Sequence, residues 1–259
     1  MNVFQRLYNY RELLKTNVQK EIRGRYKNSI LGVMWSFLNP LLQLVVYSII
    51  FGNLLAPPDD TTYHIYICVA LIPWTFFTTV ISQAAFTIIA NGNILKKVFF
   101  PREILPISVV TSGAVNFFIS TIIILILVAL SGIGFTKLIL FYPLIFFIQY
   151  LLLIGISFIV SSITVYVRDL EHIIGIILMV GFYATPIVYK IEDLKSPFLQ
   201  TCMQFNPMTH LIDAYRAIFY YQTMPDLKML GIMLAISIVL TIVGYIVFKK
   251  LQKGFAEEL

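Results

Sequence analysis

The chain has 259 residues, of which 59% are hydrophobic and 12% are charged. A soluble domain carries about 25% charged residues, so this composition excludes an ordinary water-soluble protein and indicates that lipid surrounds much of the chain. The formal net charge of +6 does not indicate a nucleic-acid partner, because seven of the 19 basic residues precede the first long apolar segment and mark membrane topology and contact with anionic lipid headgroups.

Residues 4–22 form the first predicted element, an amphipathic helix that lies in the membrane interface. Its apolar positions Phe4, Leu7, Leu14 and Val18 recur at helical spacing, and basic residues lie between them. A cytoplasmic helix packed against a partner protein is the alternative. The uncharged segment that follows is longer than the core of a secretory signal peptide, roughly 7–15 residues, so we expect it to be retained as a membrane span.

Six apolar segments follow, and we predict that each crosses the membrane as a helix. A bilayer core requires roughly 20 apolar residues. Pro40 in the first segment and Pro186 in the fifth are expected to interrupt their helices, because proline lacks a backbone N–H group. The predicted spans cover about residues 31–54, 64–88, 104–131, 138–165, 170–186 and 229–248.

The basic residues predict the orientation of these spans. Over the segments between the spans, fourteen of the 19 basic residues fall on the side of the N-terminus and five on the other side. Lysine and arginine next to a span resist translocation, so we expect both termini to be cytoplasmic.

Residues 185–228 are too apolar for a solvated loop, and four prolines divide them into short pieces. Irregular backbone at membrane depth is tolerated where protein or a cavity surrounds it, so we predict re-entrant half-helices near the outer face. His210, Asp213 and Arg216 recur every three residues and share one helical face. They form either a gate element or a structural ion pair.

The sequence contains no motif for ATP hydrolysis, metal binding or serine-based catalysis. No Asp, Glu, Lys or Arg lies within the predicted spans away from their ends, which argues against a proton-coupled carrier and against an intramembrane enzyme. We therefore expect no catalytic residue, no metal and no cofactor in this chain, and two free thiols at Cys68 and Cys202. Uphill transport would then draw its energy from a partner.

Several stretches, in this order along the chain, carry a resemblance to a known family: residues 22–40, 96–106, 166–170, 186–189 and 206–207. Together they resemble the membrane subunits of ABC-type polysaccharide exporters, which move lipid-linked O-antigens, capsules and teichoic acids. The resemblance covers most of the chain and implies a single transmembrane permease domain over residues 1–259.

The resemblance also implies the partners. They are a second copy of this chain, two copies of a separate ATPase subunit that bind ATP and Mg²⁺, and a glycan or polyol-phosphate polymer on a polyprenyl anchor. The location is the bacterial cytoplasmic (inner) membrane. An ABC permease for a drug or a small lipid is the alternative, followed by a membrane scaffold without transport function.

Residues 91–103 join the second and third predicted spans and are the candidate ATPase-coupling loop. Adjacent aromatic residues in a cytoplasmic loop require a covering partner, so Phe99 and Phe100 are expected to be exposed in this chain and covered by the ATPase. In the resembling family this position is the coupling helix; a helix lying on the membrane is the alternative. The candidate residues are Ile94, Lys96, Lys97, Phe99, Phe100, Pro101 and Arg102.

A polar and aromatic stripe on the first span is the candidate substrate channel. Asn39, Gln43, Tyr47 and Phe51 follow one another in steps of four residues. Hydrogen bonding between helices is the alternative for the amides, and contact with lipid is the alternative for the rings. Further aromatic candidates for the channel are Trp74, Phe77 and Tyr183.

Two smaller sets complete the candidate residues. Arg23, Arg25 and Lys27 are expected to contact the phosphates of the lipid anchor, and ordinary topology-determining charges are the alternative. The resemblance and the prolines place an outer gate at four residues: Pro186, Tyr189, Asn206 and Pro207.

Overall fold

The computed structural model describes residue 5 and residues 8–26, 29–55 and 62–259. This part of the chain is helical and has no β-strand, which confirms the predicted all-α class. The helices, numbered here in chain order, are α1 (Arg11–Tyr26), α2 (Trp35–Leu55), α3 (Tyr63–Ala90), α4 (Gly92–Lys97), α5 (Ile104–Leu130), α6 (Tyr142–Thr164), α7 (Leu170–Tyr183), α8 (Pro197–Gln204), α9 (Pro207–Arg216), α10 (Leu227–Leu251) and α11 (Phe255–Glu258).

Among the described residues, five helical segments are long and apolar enough to cross a membrane: Trp35–Gly52, Tyr63–Lys97, Ile104–Leu130, Lys137–Thr164 and Leu227–Glu258. They coincide with five of the six predicted spans. The sixth, α7, is apolar but has 14 residues. At 1.5 Å per residue it is about 21 Å long, shorter than the roughly 30 Å core of a bilayer, so its crossing stays a prediction.

Helix α3 is the central helix of the bundle. It contacts α2, α5, α6, α7 and α9, and most of its side chains are buried. The buried polar side chain of Gln149 on α6 donates through Nε2 to the carbonyl of Pro73 on α3 (2.9 Å) and accepts from the Tyr215 hydroxyl of α9 (3.0 Å). These hydrogen bonds connect three helices through one amide, since a buried amide requires partners.

The closest helix pair is α6 with α10. Gly155 and Gly244 face each other, and a Cβ atom built on Gly244 would lie 2.3 Å from the carbonyl oxygen of Gly155. Small residues of this kind allow the backbones of membrane helices to approach each other. The Thr241 hydroxyl adds a hydrogen bond across the same pair, 2.9 Å from the carbonyl of Leu151.

Helix α1 packs against α5 at the end of the bundle where residues 91–103 lie. Its Tyr10, Leu13 and Leu14 contact a buried cluster that includes Leu105, and Lys20 Nζ donates to Asn91 Oδ1 (2.9 Å). The chain therefore covers one face of this helix itself. Phe4 and Leu7 lie outside the described residues, and the interfacial position of α1 stays a prediction.

The first span is continuous through Pro40, so the predicted interruption of its helix is wrong. A proline in a helix leaves the carbonyl four residues earlier without its usual donor. That carbonyl belongs to Ser36, and it accepts a hydrogen bond from the Ser120 hydroxyl of α5 (3.2 Å). A neighbouring helix thus replaces the missing N–H group, and α2 continues.

Candidate functional site

A polar stripe runs along the one incompletely buried face of α3. Its members recur at helical spacing, and all lie in the middle or the second half of the helix: Thr75, Thr78, Thr79, Ser82 and Gln83. Two of the hydroxyl protons are used within the helix, Thr75 donating to the carbonyl of Leu71 (2.8 Å) and Thr78 to that of Thr75 (3.2 Å). Their oxygen lone pairs remain available to accept from a ligand.

The central groove, a cavity of about 410 Å³, opens on this polar stripe between α2, α3 and α7. Helix α2 supplies Gln43 and Tyr47, helix α3 supplies Trp74 beside the stripe, and helix α7 supplies Phe182 and Tyr183. The rings form a connected set, because the centroid of Phe182 lies 5.3 Å from that of Tyr47 and 6.4 Å from that of Trp74. Aromatic rings and the hydroxyl groups of the polar stripe therefore line the same groove.

Two further cavities adjoin the central groove. One, of about 330 Å³, lies between α2, α3 and α5 and shares Thr75 and Thr79 with it. The other, of about 380 Å³, shares Ser82 and extends to Glu21 on α1. The three cavities thus follow the polar stripe from the middle of α3 to its end beside α1.

The structure brings the predicted channel residues to these cavities. Gln43, Tyr47, Trp74 and Tyr183 line the central groove, and Asn39 lines the adjoining cavity. Phe51 and Phe77 are neighbours of the groove: the ring centroids are 6.0 Å apart for Phe51 and Tyr47, and 5.5 Å apart for Phe77 and Trp74. The sequence analysis missed Phe182 and the polar stripe, although the stripe is visible as polar residues at helical spacing in an apolar segment.

The outer segment, residues 183–189, links the end of α7 to the helices that follow. Its seven consecutive carbonyl groups all accept a hydrogen bond, six of them from side chains. The donors are Tyr189 for carbonyl 183, Asn206 for 184, the Ile187 N–H group for 185, Arg216 for 186 and 187, Tyr63 for 188 and Tyr66 for 189. Side chains thereby replace the pairing that a helix would supply.

Arg216 is the centre of this arrangement. Its guanidinium is 2% exposed and donates to the carbonyls of Pro186 (2.6 Å) and Ile187 (2.7 Å). It also lies over the ring of Tyr66, 3.5 Å from the centroid, and 3.9 Å from the carboxylate of Asp213. Of the two interpretations of the His210, Asp213 and Arg216 face, the geometry favours the structural one, because Arg216 points into the protein and pairs locally.

The predicted gate residues belong to this same arrangement. Asn206 accepts from the N–H group of Met208 at the start of α9 and donates to Thr185 Oγ1 (2.8 Å). Pro207 is the first residue of α9, where a proline is tolerated because its missing N–H group would have no helical partner. The four residues are brought together, whereas a gating role stays a prediction.

The coupling segment, residues 91–103, contains α4 and the extended residues after it. Phe99 is 95% exposed, and Ile94, Val98, Lys96 and Lys97 are exposed around it. Phe100 is 7% exposed, so the expectation of two exposed aromatic residues is wrong for Phe100. The physical reason is that the Phe100 ring packs into a buried apolar cluster with Phe158 and Phe248, whereas Phe99 has no place in that cluster.

The predicted lipid-phosphate residues lie on or beside α1. Arg23 is exposed, and its neighbours Glu21 and Gly24 line the cavity at the end of the polar stripe. The side chain of Arg25 and all of Lys27 fall outside the described residues. Cys68 is buried and Cys202 is exposed, and both are free thiols as expected.

Comparison with known proteins identifies a family and several relatives of this chain. A sequence profile for the ABC-2 type transporter family matches residues 12–220. The chain is 33% identical over 260 residues to the O-antigen export system permease protein RfbA of Myxococcus xanthus, with 100% of each chain covered. It is 32% identical over 249 residues to a protein of the same name from Klebsiella pneumoniae, covering 96% of this chain and 95% of the relative.

A more distant relative is also named as a transport protein. The chain is 21% identical over 203 residues to the polysialic acid transport protein KpsM of Escherichia coli, covering 76% of this chain and 77% of the relative.

Proposed function

The chain belongs to the ABC-2 type transporter family, and from this premise we propose that it is the transmembrane permease subunit of an ATP-driven exporter of lipid-linked polysaccharide. It is a multi-pass protein of the inner membrane. Relatives that match over nearly their whole length are named as O-antigen export permeases, which favours a polysaccharide over a drug or a small lipid. A membrane scaffold without transport function does not account for that likeness.

The observation that carries this proposal is the central groove with its polar stripe. A sugar ring presents hydroxyl groups at its edge and C–H groups on its faces. Threonine and serine oxygens accept hydrogen bonds from the edge, while Tyr47 and Phe182 offer apolar rings to the faces. A sliding polymer requires several weak contacts in place of one tight pocket, as in any conducting pore.

The lining favours a glycan over a polyol-phosphate polymer. Hydroxyl, amide and aromatic groups line the central groove, and the carboxylate of Glu21 lies at the cavity beside α1. Among the described residues, the linings of the three cavities contain no lysine or arginine to pair with a phosphate in every repeat of such a polymer. The lipid anchor presents its phosphates only once, and Arg23, Arg25 and Lys27 are the residues proposed to meet them.

The proposed assembly is a homodimer with two copies of a separate ATPase subunit that binds ATP and Mg²⁺. The central groove is open at the exposed side chains of α7, so a second copy facing it would close a path between the two chains. The exposed part of the coupling segment is the surface proposed for the ATPase. The proposed topology has six spans including α7, an interfacial α1, cytoplasmic termini and re-entrant α8 and α9.

Cysteine labelling in intact cells tests this topology. In a Cys68→Ala, Cys202→Ser background, an impermeant maleimide is expected to label Lys195→Cys but not Lys97→Cys, because the membrane shields the cytoplasmic side. Both positions are exposed in this chain, and accessibility is matched when the cells lack the ATPase subunit, which is proposed to cover the region of Lys97. Labelling of both after permeabilisation is the control, and labelling of position 97 alone in intact cells would refute the orientation.

Export rates of Tyr47 variants test the groove. Tyr47→Ala together with Phe182→Ala is expected to slow export of long chains about 5- to 150-fold, the effect of losing two aromatic contacts of about 0.5–1.5 kcal/mol each. Tyr47→Phe keeps the ring and should export at close to the parental rate. ATP hydrolysis by the assembled complex is measured in parallel and should change less.

The control for this experiment is Phe147→Ala, because Phe147 is a half-exposed aromatic residue on α6 that does not line the groove. It is expected to export normally. If the Tyr47 and Phe182 double variant exports at the parental rate, the groove does not contact the polymer.

A further inference from the structure

The last part of the chain lies directly against the buried side of the coupling segment. We call residues 249–259 the C-terminal brace; they comprise the end of α10, a 3-10 turn at Gln252–Gly254 and α11. Phe248 and Phe255 are fully buried and share one apolar cluster with Leu95 and Phe100 of the coupling segment. The coupling segment therefore rests on the far end of the chain as well as on the helices that flank it.

Two polar contacts also connect the C-terminal brace to the coupling segment. Lys249 Nζ donates to Glu103 Oε1 at 2.9 Å, and the carboxylate of Glu103 is 1% exposed. Arg102 donates through Nη1 to the carbonyl of Gln252, and its guanidinium lies 5.8 Å from the ring centroid of Phe255. Separating this pair would leave the buried carboxylate of Glu103 without a compensating charge, which favours the observed separation.

The brace also contacts the second turn on this side of the bundle, between α6 and α7. The Tyr166 hydroxyl donates to the carbonyl of Leu251 at 2.6 Å. A Cβ atom built on Gly254 would lie 2.5 Å from that hydroxyl oxygen, so a larger residue there would displace the hydroxyl group. Through these contacts the brace joins the coupling segment to the ends of both α6 and α10.

We propose that the C-terminal brace is a positioning element for energy coupling: it transmits movement of the coupling segment to α6 and α10. This inference rests on the proposed function, in which an ATPase subunit acts on Phe99 and its exposed neighbours. Force on α4 and the extended residues after it can either deform them locally or move the helices attached to them. The segment is held to the end of α10 by the packing of Phe255 and by the ion pair between Lys249 and Glu103. The helices therefore move with the segment.

If the brace has this role, changing it should leave binding of the ATPase intact and lower the use of its energy for export. Phe255 is fully buried and Lys249 contacts the buried carboxylate of Glu103, so changing these two residues should leave the exposed surface around Phe99 in place. A weakened brace is expected to give a complex that assembles and hydrolyses ATP but exports fewer polymer chains for each ATP consumed.

The experiment compares variants in the full complex reconstituted in liposomes. Phe255→Ala and Lys249→Gln are expected to bind the ATPase within about twofold of the parental affinity, and to lower the number of polymers exported per ATP about tenfold. Phe255→Leu is the conservative variant and should restore most of the ratio. A Glu103→Lys, Lys249→Glu exchange tests the ion pair, because it keeps both charges and reverses their positions.

Each outcome decides the inference. Restoration of the export-to-ATP ratio by Phe255→Leu and by the charge exchange supports it. An unchanged ratio in Phe255→Ala and Lys249→Gln overturns it, as does a loss of export that follows only the amount of folded protein. Should Phe255→Ala fail to insert, Lys249→Gln and the exchange decide alone. Absence of ATP-dependent export by the parental complex contradicts the proposed function instead.

Discussion

Replacing Arg216 with alanine is expected to abolish most export and to lower the resistance of the protein to thermal unfolding in detergent. The guanidinium donates to two buried carbonyls of the outer segment, and each hydrogen bond from a charged donor contributes about 1.5–3 kcal/mol. Its removal leaves both carbonyls without these donors and removes the contact with the Tyr66 ring. A cost of about 3–5 kcal/mol is large against the stability of a domain.

Two matched variants make this prediction specific. Arg216→Lys is expected to fall between the parental protein and Arg216→Ala, because an ammonium group keeps the charge but lacks the planar fork that reaches two carbonyls at once. Lys195→Ala removes an exposed basic residue from the same region and should have no effect. An unfolding midpoint that does not change in Arg216→Ala would show that the outer segment does not depend on this side chain.

Phe99→Ser and Phe100→Ser are expected to fail in different ways, although the residues are adjacent. Phe99 is almost fully exposed, so its loss should leave the fold intact, weaken binding of the ATPase and reduce export about tenfold or more, as for a central interface residue. Phe100 is buried in the cluster with Phe158 and Phe248. Phenylalanine truncation in a core costs about 3–5 kcal/mol, so Phe100→Ser should lower the amount of folded protein.

The measurements are the affinity of the purified permease for its ATPase partner and the thermal unfolding midpoint of the permease alone. Phe205→Ser is the control for Phe99→Ser, because Phe205 is another strongly exposed phenylalanine that lies on the opposite side of the membrane in the proposed topology. Phe99→Ser with normal ATPase affinity would exclude Phe99 from the docking surface.

The helices of this protein were predictable from its sequence, and their contacts were not. Long uncharged segments between basic loops identify spans such as Ile104–Leu130, because the membrane imposes the same length and polarity on each of them. Whether Pro40 interrupts its helix depends on a donor from another helix. That donor is Ser120, which lies 84 positions after Ser36, the residue whose carbonyl accepts its hydrogen bond. A single-helix rule cannot anticipate that replacement.

In the candidate site, too, positions on a helix were predictable from the sequence and contacts between elements were not. The stripe of Asn39, Gln43 and Tyr47 on the first span was visible because helical spacing places these residues on one face. Phe99 and Phe100 are adjacent, and the sequence alone did not indicate which ring is buried. Arg216 was predicted to share a helical face with His210 and Asp213, but its hydrogen bonds to carbonyls 186 and 187 come from a segment about 30 residues earlier in the chain.

ATP-driven movement of a lipid-linked polysaccharide across a reconstituted membrane tests the central claim most directly. This chain and its ATPase partner are placed in liposomes, and polymer that reaches the far side is quantified with a glycosidase confined there. We expect transfer with ATP and this chain together, and none when the ATPase is catalytically inactive or this chain is omitted. Equal transfer with and without this chain, or no ATP-dependent transfer by the complete complex, would contradict the assignment as an export permease.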